Sequence, residues 1–147
     1  MQKVTFLPRA VAARWLPQPG SVLISIHDRS EAQLTPQLGW SDVLYLRFHD
    51  TDGQQMGLEV FSPGQAQQVL DFVSAHQNCS ELVVHCSMGH SRSAAIALFV
   101  AENQGVPCFK EQTPVTALSW KSYNRKVYSG LHTAMHGPIG SMFASAD

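Results

Sequence analysis

Charge is scarce in this chain. Only 14% of its 147 residues are Asp, Glu, Lys or Arg, and they sum to a net charge of −1. A balance so close to zero offers no cationic footprint for nucleic acid or for an anionic membrane surface. No apolar run approaches the about 20 residues that cross a bilayer. Met1-Gln2-Lys3-Val4 opens no long apolar core ahead of a cleavage site, so no secretory leader is expected. Cysteine is scarce as well: three in number, they make no disulfide framework, and a cytoplasmic setting is expected. The seven histidines fall at no metal-ligand spacing, so neither a metal nor an organic cofactor is implied. Repeats and low-complexity blocks are lacking. What is present is an ordinary globular composition, 44% apolar, long enough for one domain with a real core.

Strand and helix signals alternate. Val4–Leu7 is a short strand, and Pro8–Leu16 reads as a helix opened by proline and broken by Pro17-Gln18-Pro19-Gly20. Ser21–Ile26 is a buried parallel strand rich in β-branched residues. A loop, His27–Gly39, leads to the strand Asp42–Phe48, and His49–Gly53 is again loop. Ser62-Pro63 starts a helix that runs to about His76 with Val69, Leu70 and Val73 on its apolar face. Leu82–His85 is the central strand, Arg92–Gln104 a helix ended by Gly105. Thr113-Pro114 marks a further helix start, a last helix covers Lys121–Met135, and the segment from Gly137 reads as a mobile tail. The expected fold is a single α/β domain over residues 1–136, a mainly parallel central sheet flanked by helices, with ligands at the carboxyl ends of the strands.

Cys86 stands at such an end. The run His85-Cys86-Ser87-Met88-Gly89-His90-Ser91-Arg92-Ser93 carries a cysteine from a strand through a tight turn into a helix. The N–H groups of Ser87, Met88, Gly89, His90, Ser91 and Arg92 can then curl around one point at a helix N-terminus, which favours an anion. Arg92 adds a planar fork matched to two phosphate oxygens. The same positive field favours the cysteine as thiolate, its nucleophilic form. Gly89 allows a turn that a side chain would block.

His85-Cys86-x5-Arg92-Ser93 resembles the loop of cysteine-dependent protein phosphatases, above all the small dual-specificity type, and the likeness extends loosely from Val22 to Val127. The resemblance implies a hydrolase that passes through a phosphocysteine. It implies a hydroxyl at Ser93 that steadies the thiolate, and a buried His85 that holds the loop. It also implies a general acid just after a strand, some thirty-odd residues ahead of the cysteine. Asp50, directly after Leu46-Arg47-Phe48-His49, is the preferred acid; Asp52, nearer the loop tip, is the alternative. The expected partner is a phosphoprotein or a small phosphoester, met by a monomer.

Other readings stay open at this stage. Ser87, Met88, His90 and Ser91 include no Lys or Arg, which disfavours polyanionic substrates such as inositol phospholipids or RNA 5′-triphosphates. A non-protein phosphoester remains the second enzyme reading. A phosphate-binding module without turnover is the non-enzyme reading, and it gains if both aspartates are remote from the loop. Trp40, Trp120 and Tyr123 read as core or half-buried residues. Cys79 and Cys108 each fall about 20 Å from Cys86 along strand or helix. Oxidation of Cys86 is therefore expected to give sulfenic acid or a sulfenamide, not a disulfide.

Overall fold

Strand-to-helix-to-strand steps are the pattern of a parallel sheet, because each crossover returns the chain to the same edge. The computed structural model, which describes residues 1–53 and 55–137, follows that pattern. Its elements are β1 (Val4–Pro8), α1 (Arg9–Ala12), β2 (Val22–His27), β3 (Asp42–Arg47), α2 (Pro63–Ala75), β4 (Leu82–Cys86), α3 (Arg92–Gln104), β5 (Cys108–Lys110), β6 (Thr113–Val115) and α4 (Arg125–His136). The strands form one sheet in the order β3-β2-β4-β1-β5-β6. Every neighbouring pair is parallel except β5 with β6.

Register brings the strand ends together. Pro8 lies level with Cys86, Ser25 with His85 and His27 with Arg47. The chain therefore leaves β1, β2, β3 and β4 at one edge of the sheet, and residues far apart in sequence meet there.

Alternation along the strands divides the core into two layers. Val4, Phe6, Ile24, Val84 and Cys86 face a thick layer that includes α3 residues such as Ala94, Ala97 and Phe99 and the α4 residues Val127 and Leu131. Leu7, Leu23 and Val83 face a thinner layer with Ala12 and Leu34, against which Trp15 and Trp40 pack. Residues Arg92 to Ala101 of α3 are all buried, and its alanines let that helix lie close to the sheet. Ser62 caps α2 in a reciprocal arrangement with Gln65, and Gly105 ends α3 in the left-handed region.

Three sequence-based expectations are corrected. The helix expected over Pro8–Leu16 is a single turn, Arg9–Ala12. Pro8 belongs to β1, and Leu16 stands before Pro17, a position biased away from helix. The helix start expected at Thr113-Pro114 is the edge strand β6, joined to β5 by a two-residue turn in which Glu111 has φ 55°. On an edge the missing proline N–H costs no ladder bond. The last helix begins at Arg125 rather than Lys121, because the Asn124 side chain accepts from the Val127 N–H and fixes the start there. Of the expected tail, residues 138–147 lie outside those described. Among the described residues no helix is long and apolar enough to cross a membrane.

Candidate active site

Cys86 is the last residue of β4 and is 2% exposed. Its Sγ lies 3.0 Å from the Ser93 Oγ in the first turn of α3. His85 points to the opposite face of the sheet, where its Nε2 is 2.6 Å from the Ser25 Oγ. Burial pushes the imidazole down to about 4, so it is neutral. A neutral ring that donates from Nδ1 toward the Cys86 carbonyl, at 3.5 Å, accepts the Ser25 hydroxyl at Nε2. The sheet thus holds the backbone of Cys86 from beneath.

The loop that follows is turned inside out by its neighbours. The Ser87 carbonyl accepts from the Arg9 N–H at 3.1 Å, and the Ser91 carbonyl from the Asn124 N–H at 3.0 Å. The His90 carbonyl accepts the Trp120 indole N–H at 2.9 Å. With the carbonyls held outward, the amides are free to face the centre. None of the N–H groups of Ser87, Met88, Gly89, His90, Ser91 or Arg92 donates to another group among the described residues. Gly89 makes the turn possible, at φ 70°; a Cβ there would sit 2.4 Å from the Pro8 nitrogen and 2.6 Å from the Leu7 carbonyl carbon. The loop therefore rests directly on the backbone of β1.

The helix end beneath this loop is also open. Ser91 holds the N-cap position of α3, yet its side chain caps nothing. Its hydroxyl donates instead to Asp50 Oδ1 at 2.8 Å. The first turn of α3 carries no acidic residue to answer its dipole. Arg92 opens the helix with its side chain 5% exposed. Its Nη1 donates to the Phe48 carbonyl at 2.9 Å, and its Nε is buried with no partner among the described residues. A buried guanidinium with an unsatisfied edge is costly unless an anion meets it.

Of the two candidate acids, the structure brings Asp50 to the loop. Its Oδ1 accepts from Ser91 and, at 2.8 Å, from the Asn124 amide, which also donates to the Thr51 carbonyl at 3.0 Å. Asp52 is exposed and lines a depression beside Ser91 together with Tyr123 and Arg125. Met88 and His90 have exposed side chains, and the His90 ring stacks on Trp120 with centroids 6.0 Å apart. Ser87 and Ser91 prove to contribute side chains as well as amides.

Three contributors lay outside the sequence-based set. Asp28, after β2, places Oδ2 3.8 Å from Arg92 Nη1. Glu31 accepts from the Ser87 hydroxyl at 2.9 Å and from the Asp28 N–H at 3.2 Å. Asn124 ties α4 to the loop of Asp50 and Thr51. The available signal for Asp28 was its place directly after a strand, the same place that singled out Asp50.

Cys79 and Cys108 stand apart from this site. Cys108 pairs with Val4, four residues along β1 from the partner of Cys86 and two strands across, a separation of about 16 Å. Cys79 precedes β4 by three residues. All three thiols are buried and unpaired. Burial pushes the Cys108 thiol up to about 12 and that of Cys79 upward as well, which keeps both protonated. Among the described residues no group of three or more His, Cys, Asp or Glu side chains is placed to hold a metal ion. No protein-family model matches the chain, and no curated protein matches it.

Proposed function

We propose that the protein is a cysteine-dependent phosphatase that hydrolyses phosphate monoesters, phosphotyrosine first, with phosphoserine and phosphothreonine within its chemistry. One observation carries this reading. Six amides and one edge of a buried Arg92, all without a partner among the described residues, lie between a buried cysteine and an uncapped helix N-terminus. Such an arrangement suits a tetrahedral dianion next to a nucleophile.

In the proposed reaction the Cys86 thiolate attacks phosphorus in line and the bond from phosphorus to the leaving oxygen breaks. Asp50 gives its proton to that oxygen. The loop amides and Arg92 hold the charge on the three equatorial oxygens. Asp50, now a carboxylate, takes a proton from water, which attacks the phosphocysteine. The phosphorus–sulfur bond breaks, inorganic phosphate leaves, and the Ser93 hydroxyl stabilises the departing thiolate. The hydrogen bond from Ser91 to Asp50 supports Asp50 over Asp52 and weighs against a module that binds without turnover. A thiolate nucleophile needs a reducing compartment, which supports the cytoplasm as the site of action. A monomer acting on a phosphoprotein, without metal or cofactor, completes the proposal; a non-protein phosphoester is the alternative substrate.

The test is hydrolysis of para-nitrophenyl phosphate against pH in the presence of EDTA. Turnover is expected for the wild type and not for Cys86→Ser. The basic limb of the profile is expected to disappear in Asp50→Asn and to persist in Asp52→Asn. Undiminished turnover in Cys86→Ser would end the thiolate mechanism.

A further inference from the structure

An arginine that binds phosphate must be aimed as well as buried. The guanidinium of Arg92 is planar, and a fork-to-fork contact with two oxygens requires one particular roll of that plane. The backbone supplies one anchor, the Phe48 carbonyl at 2.9 Å from Nη1. A single hydrogen bond leaves the plane free to rotate about it. The second anchor comes from another loop: Asp28 Oδ2 lies 3.8 Å from the same nitrogen.

Asp28 is itself held in place. Its Oδ1 accepts from the Ser30 N–H at 2.9 Å and from the Ser30 hydroxyl. Its N–H donates to Glu31, which accepts in turn from Ser87 in the cradle. The Ser30 hydroxyl foremost, then the Ser30 N–H and Arg92, hold its carboxyl below the usual range against the opposing effect of burial. Asp28 is therefore an anion, fixed at its root to the loop that Arg92 completes. With Nη1 taken by these two anchors, the edge left unpaired is the one that carries Nε.

We infer that Asp28 is a positioning residue that sets the roll of Arg92 and so presents its Nε–Nη2 edge to the phosphate. The inference rests on the reading of the cradle as a phosphate site. A like charge beside a dianion would by itself weaken anion binding, so the sign of the effect is diagnostic. A positioning residue also matters more for the transition state, whose equatorial charge the fork holds, than for the ground state.

The experiment compares wild type, Asp28→Asn and Asp28→Ala in hydrolysis of para-nitrophenyl phosphate, in inhibition by vanadate and tungstate, and in thermal unfolding. Asp28→Ala is expected to lower kcat/KM by about tenfold to a hundredfold, with most of the loss in kcat. Vanadate, which mimics the five-coordinate state, is expected to lose more affinity than tungstate. Asp28→Asn, which keeps an acceptor, should fall between, and neither should shift Tm enough to account for the loss. Wild-type kinetics in both variants, or tighter oxyanion binding in either, would overturn the inference and leave the phosphatase reading standing. A loss of activity that only follows a fall in Tm would overturn it too. Tungstate titrated into Cys86→Ser separates the two levels: no binding there, with no wild-type turnover, would remove the phosphate site and the role of Asp28 with it.

Discussion

At the scale of the residue, Gly89 has the closest neighbours of any glycine among the described residues. Its positive φ alone costs another residue about 1 kcal/mol. The larger obstacle is that the missing Cβ would meet backbone, not a side chain that can swing away. Gly89→Ala must lift the loop off β1, and the amides then lose their common focus. A fall in kcat/KM of about a hundredfold is expected, since displacements near 1 Å have that effect. Steady-state kinetics and tungstate titration check it; wild-type affinity for tungstate in this variant would show that the loop tolerates the shift.

At the scale of the element, the N-terminus of α4 joins a helix cap to the loop of the proposed acid. Asn124 caps the helix with its oxygen and holds Asp50 and Thr51 with its nitrogen. The two duties separate by substitution. Asn124→Ser keeps an oxygen for the cap and loses the donor, so its stability cost should be that of the bonds to Asp50 and Thr51, about 1–2 kcal/mol, while kcat falls about tenfold. Asn124→Ala should show the same kinetic loss and a further cost of about 1 kcal/mol. Denaturant unfolding beside initial rates distinguishes them; equal kcat in wild type and Asn124→Ser would detach Asn124 from the acid loop. Elements also show what was legible in the sequence. The bounds of α3 follow from residues that punctuate it, the loop before Arg92 and Gly105 after Gln104, and they agree with the structure. The hairpin of β5 and β6 escaped notice because strands of three residues carry no period, and Thr113-Pro114 is as good a helix opening as an edge strand. Cys86 and Arg92 were legible because their spacing is local. Asp28 and Glu31 were not, because only the parallel register of β2 with β3 and β4 brings them to Arg92 and Ser87.

At the scale of the whole molecule, the buried imidazole of His85 ties folding to pH. In the unfolded chain a histidine takes up its proton near 6.5; in the native state burial lowers that point to about 4. Between those values the unfolded chain binds a proton that the native one refuses, so stability is full above 6.5 and falls as the solution is acidified. The loss is about 3 kcal/mol when the whole window is crossed. His27, lowered first by burial, acts in the same direction. Unfolding free energies measured between pH 7 and pH 4 should show this slope, and His85→Asn should flatten it whatever its own cost; an unchanged slope would assign the pH response elsewhere.

The strand order has a consequence for synthesis. Of the six strands of the sheet β1 comes earliest in the sequence, yet it lies between β4 and β5, whose residues are made about eighty to a hundred positions later. Until then it has no edge to join, and the apolar residues Val4, Phe6 and Leu7 have no sheet to cover them. When β4 arrives it brings Cys86 with it, and Pro8 and Arg9 close on the loop after Cys86 as β1 is seated. Pairing of β1 with β4 and closure of the loop after Cys86 are therefore coupled through the same contacts.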